Sequence, residues 1–200
     1  MPRLRRILTA GLTAAMVVTA PPAAATTGPV FHDGFESPSA SGQFQRYPTG
    51  TRLGPWTVTK GDVDLATTRL WQVSEGRQNL DLDGAANGAV TATFPVKALT
   101  TYRISYTLAG NPAAAPLIKT GEVLVNGRTA QRFSFDTSRT SLSRMDFGRR
   151  ALYVFSLTGQ MSLEFASTTA PAGWGPVLDD VRVDSCLVVL CPSRTAATRE

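Results

Sequence analysis

The sequence predicts an all-β sandwich or barrel, and three observations carry that prediction. Two stretches alternate strictly: Val90, Ala92, Phe94 and Val96 against Ala89, Thr91, Thr93 and Pro95, then Tyr102, Ile104, Tyr106 and Leu108 against Arg103, Ser105 and Thr107. Period two is the mark of a half-buried strand. Two pairs of apolar runs flank turn signals, Asn126-Gly127 and Thr158-Gly159-Gln160, which read as hairpins. No amphipathic helix of useful length follows the N-terminal segment, and many short strands at regular spacing are the pattern of a β-sandwich or barrel.

The chain opens with what reads as a secretory signal peptide over residues 1–25. Arg3, Arg5 and Arg6 form its basic region, Ile7 to Ala20 its apolar region, and Ala23-Ala24-Ala25 offers small residues for cleavage. Cutting after Ala25 leaves 175 of the 200 residues, one domain over 26–184 with a tail over 185–200. Three of the 20 basic residues go with the signal, so 17 remain against 15 acidic ones. That balance, without a clustered basic patch, argues against a nucleic-acid partner. Arg149-Arg150 reads as a solvated turn. No later stretch reaches the roughly 18 apolar residues of a spanning helix. The expectation is a monomer that is secreted, or held to the envelope by binding.

In order, Val30 to Glu36 gives a first strand with Phe31 and Phe35 on one face, and residues 37–54, rich in Ser, Gly, Pro and Thr, read as a long loop. Trp56 to Lys60 alternates, with Trp56 in the core. Val63 and Leu65 follow around Asp64. Leu70 to Val73 is a short apolar piece, and Gln78 to Leu82 alternates into the Asp83-Gly84 turn. After the two strict strands, Asn111-Pro112 breaks the chain. Glu122 to Val125 pairs with Thr129 to Phe135, and Leu152 to Leu157 with Met161 to Phe165. The last strand is Val177 to Val183. Simple alternation puts Val177, Asp179, Val181 and Val183 on one face and Leu178, Asp180 and Arg182 on the other. A carboxylate among valines needs a partner: backbone amides of the preceding turn, or a calcium ion. The two cysteines, Cys186 and Cys191, have four residues between them near the end, and export suits a local disulfide between them.

Several phrases in this order resemble a known family: Gly34-Phe35-Glu36, Trp56, Gly61 to Leu65 leading to Trp71, Gly76 to Gly84, Tyr102 to Pro112, and Gly175-Pro176-Val177-Leu178-Asp179-Asp180-Val181. Together, over about residues 30 to 183, they look like the choice-of-anchor C family, in the group built on domain of unknown function 642, whose plant members are cell-wall proteins. The resemblance implies a galactose-binding-like jelly roll, related in shape to many carbohydrate-binding modules. It also implies a structural calcium held near the meeting of first and last strands, with Glu36 and Asp179 at the matching positions. Calcium takes six to eight oxygens, many from carbonyls, so two acids suffice beside turn backbone. The chain departs from the family where Asn111-Pro112 runs into Ala113-Ala114-Ala115, and where Trp174 stands in place of a cysteine before Gly-Pro.

Catalytic machinery is sparse. His32 is the only histidine and reads as a surface or edge residue, and no Gly-x-Ser-x-Gly elbow occurs, so a Ser-His-Asp triad is excluded. Asp62, Asp64, Asp81 and Asp83 could pair as a glycosidase dyad, but read more simply as turn and polar-face residues. The function expected is therefore a non-catalytic module for cell-wall or extracellular polysaccharide. Trp71 reads either as an exposed platform or as core packing, with Asp64 and Arg69 near it in sequence; Lys119 and Asn111 could line the same rim, or Asn111 only shape the turn before Pro112. Trp174 is expected to cap the core or the cation site. The alternatives are a protein-interaction module using Ala113 to Leu117, and a hydrolase working through Asp64 and Asp81.

Overall fold

The structure is a computed structural model that describes residues 28–186. The signal segment and residues 187–200, including Cys191, lie outside the described residues. The described strands are β1 (Gly28–Asp33), β2 (Phe44–Pro48), β3 (Arg52–Leu53), β4 (Trp56–Lys60), β5 (Asp62–Thr67), β6 (Gln78–Asp81), β7 (Ala89–Pro95), β8 (Thr100–Gly110), β9 (Ile118–Val125), β10 (Arg128–Asp136), β11 (Gly148–Ser156), β12 (Gln160–Ser167) and β13 (Pro176–Cys186). They form two antiparallel sheets. One runs β11-β8-β13-β6-β5-β2, with β1 also paired to β13, and the other runs β10-β9-β12-β7-β4-β3. This is the jelly-roll sandwich.

The strict alternation of β7 and β8 resolves as expected. Val90, Ala92 and Phe94 face Tyr102, Ile104, Tyr106 and Leu108 across one apolar core between the sheets. Trp56 sits at its centre, fully buried, with the Phe35 ring stacked at 5.6 Å and Phe31 edge-on at 5.5 Å. The indole N–H still needs an acceptor when buried, and it finds Asp33 Oδ1 at 3.2 Å. The β9–β10 hairpin closes on Asn126 and Gly127 at φ 51° and 74°, the pair of left-handed residues that a type I′ turn demands.

Two expectations change. Residues 37–54 are not one loop: β2 and β3 lie within it. β2 is an edge strand that buries only Tyr47, so it carries no alternating signal. Arg149 and Arg150 lie in β11, where Arg149 approaches Asp180 at 3.5 Å, and not in a turn.

The last strand differs most. Asp179 pairs with Thr107 and Arg182 with Ser105, so β13 holds one extra residue between them. Asp180 is that bulge, at φ 46°, a conformation that Asp tolerates better than most residues. The bulge changes the phase of the alternation. Leu178, Val181 and Val183 all join the core, while Val177 and Asp179 turn to the outer face. The expected single face of Val177, Asp179, Val181 and Val183 does not exist.

Candidate functional site

The outer face of the β11–β2 sheet is assembled in cross-strand rows. Arg46 pairs with Asp64, Asp64 with Asp81, and Asp81 with Val177. Phe44 pairs with Ala66 in the next row. Loops cover part of this face, packing Trp71 and Met145 onto Ala66, Ala109 and Val177, with Leu70 and Phe147 alongside. Between the covering loops and the β2 edge lies a cavity of about 470 Å³, within the range of small-molecule sites. Arg46, Asp64, Asp81 and Asn111 give it polar groups, and Phe44, Leu70, Trp71, Leu142 and Trp174 give it apolar walls. Trp174 is 39% exposed and Phe44 47% exposed.

The polar groups are held rigidly. Arg46 donates from Nε and a terminal nitrogen to the two oxygens of Asp64, both at 2.9 Å. This is the bidentate geometry that fixes both side chains. The same guanidinium stands 3.9 Å from Asp62. Asp81 is buried. Its Oδ1 accepts from the Asp83 and Gly175 amides and its Oδ2 from Asn111 at 2.7 Å. Burial still pushes its carboxyl up to about 8, because desolvation outweighs those bonds. Gly175 is required here: a Cβ would come within 2.7 Å of Asp81 Oδ1 and of Asp83 Cγ.

Of the residues expected to bind ligand, Asp64, Asn111 and Trp71 meet on this cavity. Trp71 contributes only an edge. It is 5% exposed and its indole donates to Asn79 Oδ1 at 2.9 Å, so it is part of the scaffold and no open platform. Trp174, expected to cap the core, is the exposed ring. Arg69 lies elsewhere, lining a separate depression with Arg77 and Ser41. Lys119 is fully buried and donates to the Ala114 carbonyl at 2.8 Å, near enough to Asp81 and Asp83 to feel both charges. Asp81 does lie on the face opposite Leu80 and Leu82, in a row with Arg46 and Asp64, but it and Asp83 are buried by what covers them. Ala113 is on the cavity wall, while Leu117 is exposed. Phe44 was hidden from sequence reasoning because its strand was read as loop.

Glu36 and Asp179 do not fit calcium in this arrangement. Asp179 Oδ2 accepts from the Ser74 amide and hydroxyl and from the Glu75 amide at 2.9–3.1 Å, and Oδ1 accepts from the Asp180 amide. Glu36 Oε1 accepts from the Arg77 and Gln78 amides. Hydrogen-bond donors take both Asp179 oxygens and Oε1 of Glu36, and a cation needs the opposite polarity. The partner of Asp179 is backbone amide, from the 74–75 loop. Desolvation raises its carboxyl to about 6 in spite of those bonds. His32, Glu75 and Asp180 do converge, but Arg182 already pairs with both acids and Arg149 with Asp180.

A cavity with apolar rings and fixed carboxyl acceptors can hold a sugar ring by its C–H face and take hydroxyl protons. It is less suited to hydrolysis. Asp81 stands across the strand pair from Asp64 as a second carboxyl, but both Asp81 oxygens are engaged by N–H donors and the group is buried.

The fold recurs in solved structures. The N-terminal tandem of CBM22-1 and CBM22-2 domains from Paenibacillus barcinonensis Xyn10C matches at 18% identity and a TM-score of 0.52, over 88% of this chain and 50% of that one. A family 35 carbohydrate-binding module from an environmental isolate matches at 15% identity and TM-score 0.49, over 76% of this chain and 91% of that one. A cycloisomaltooligosaccharide glucanotransferase from a Paenibacillus species, complexed with cycloisomaltoheptaose, matches at 16% identity and TM-score 0.45 over 69% of this chain, which spans only 18% of that enzyme. No curated protein sequence matches significantly. The family model described as protein of unknown function, DUF642, matches residues 30–184. With nearly the whole described sandwich inside that match, the chain belongs to the DUF642 family.

Proposed function

We propose that this protein is a secreted, non-catalytic carbohydrate-binding module that holds cell-wall or extracellular polysaccharide in the cavity beside Trp174. One observation carries the reading: an exposed tryptophan and an exposed phenylalanine border a cavity whose polar groups are pre-fixed by Arg46–Asp64 and Asn111–Asp81 bonds. Rigid polar groups cost little ordering on binding. The fold shared with the tandem CBM22 domains supports the class. The basic and apolar pattern of residues 1–25 supports export, and a Cys186–Cys191 disulfide and a monomeric mature chain belong to the same proposal. So does the narrower kinship with the choice-of-anchor C proteins, which rests on the phrases quoted above.

The test is binding of purified mature protein to a panel of wall polysaccharides by pull-down and calorimetry. Trp174→Ala removes a central aromatic anchor, worth ~2 kcal/mol or about 30-fold in affinity, and leaves the far-UV spectrum unchanged. Absence of binding to every neutral and acidic polymer tried would sink the reading.

A further inference from the structure

The charges on the cavity wall carry the inference further, resting on the carbohydrate-binding reading. Arg46 is the one cationic side chain among the cavity-lining residues. Its guanidinium is committed twice, bidentately to Asp64 and at 3.9 Å to Asp62. Asp62 is itself fixed, with Oδ1 accepting from the Ala86 amide at 2.8 Å. Two carboxylates therefore share one guanidinium, Asp64 on the cavity wall and Asp62 outside its lining. Asn111, the lining amide, is spent as well: Nδ2 donates to Asp81 and Oδ1 accepts from Ala113. Lys119 is fully buried with its ammonium on Ala114. A ligand thus meets carboxylate lone pairs and aromatic faces, and among the described lining residues the one cation is already shared by carboxylates.

An anion entering this site would lose hydration and gain no ion pair, which is costly. A hydroxylated neutral ring donates its O–H groups to Asp64 and lays its C–H face on Trp174 or Phe44. We propose that the cavity selects an uncharged pyranose unit and turns away carboxylated or phosphorylated sugars, with Asp64 as the specificity-determining residue and Asp62 as a positioning residue that acts through Arg46.

The experiment compares matched oligomers by calorimetry at low and moderate salt: cellotetraose against its uronate form, and β-1,4-galactotetraose against tetragalacturonate. The expected result is that a neutral member binds and its uronate counterpart binds at least tenfold more weakly, the gap narrowing as salt screens the wall. Asp64→Asn frees the Arg46 guanidinium, so the variant is expected to gain uronate affinity by at least fivefold. Equal or tighter uronate binding by the wild-type protein overturns the selectivity and leaves the module reading standing. If neither member of either pair binds, both ideas fall. Should Asp64→Asn fail to fold, the wild-type comparison and its salt dependence decide alone.

Discussion

Asp81 makes stability depend on pH in an unusual direction. Its ordinary value of 3.8 is raised in the folded protein to about 8 by complete burial. Between those values the unfolded chain has released the proton and the folded protein keeps it. The folded state thus binds more protons, and stability falls as pH rises through this window. Each pH unit costs ~1.4 kcal/mol, so from pH 5 to pH 7 Asp81 alone removes about 3 kcal/mol. Asp179, raised to about 6 mainly by burial, acts with the same sign between pH 5 and 6 and adds about 1 kcal/mol. Against a typical total of 5–15 kcal/mol, that loss is large. Urea unfolding at pH 5, 6 and 7, followed by tryptophan fluorescence and far-UV circular dichroism, reads it directly. Asp81→Asn is expected to be less stable at pH 5, since its amide faces Asn111 Nδ2, but to have a slope shallower by ~1.4 kcal/mol per pH unit. Stability that is flat or rises from pH 5 to 7, or a slope unaffected by Asp81→Asn, would refute the assignment of a neutral buried carboxyl.

Other outcomes follow from single contacts. Trp71→Phe strands the buried Asn79 oxygen that the indole N–H serves and should cost about 1–3 kcal/mol by chemical denaturation, before any effect on glycan binding. Gly175→Ala places a methyl 2.7 Å from Asp81 and Asp83; overpacking of about 1–3 kcal/mol is expected, with weaker binding in the cavity it borders. Because amide donors fill both Asp179 oxygens and Glu36 Oε1, the melting temperature should be the same in chelator and in millimolar calcium. A rise of several degrees with calcium would show that these donors give way to the ion.

Much of the sandwich was legible because burial on one face writes itself as period two. β7 and the β9–β10 hairpin have one buried and one more open face, and their apolar residues alternate accordingly; β8 alternates too, although loops also cover Ser105, Thr107 and Ala109 on its outer face. β2 lacks that record, since only Tyr47 is buried, and its turn-forming neighbours mask it. Losing β2 meant losing Phe44 and the Arg46 partner of Asp64. The site was half legible. Asp64, Asn111 and Trp71 were brought together by the fold, but which tryptophan is exposed depends on how loops 68–77 and 170–175 lie over the sheet, which local pattern does not encode. The burial of Asp81 on the outer face depends on the Asn111 and Gly175 partners supplied from distant parts of the chain. The Asp180 bulge was the sharpest loss: alternation counts residues, and one uncounted residue inverts everything after it.

That insertion in β13 also divides the strand into two halves with opposite numbering. Ahead of it, even-numbered positions belong to the interior, as Leu178 does; beyond it, odd-numbered ones do, as Val181 and Val183 do. Position 177 is fully buried in the outer apolar cluster with Trp71 and Met145, so replacing it disturbs the loops that wall the site. Position 182 can be changed to retune the neighbouring charges without touching the side chains that fill the interior. Deleting residue 180 would remove the extra residue and restore plain alternation, with Val181 and Val183 still facing inward and Arg182 still outward, so a strand shortened there keeps its packing and loses the charge pairs that Asp180 makes.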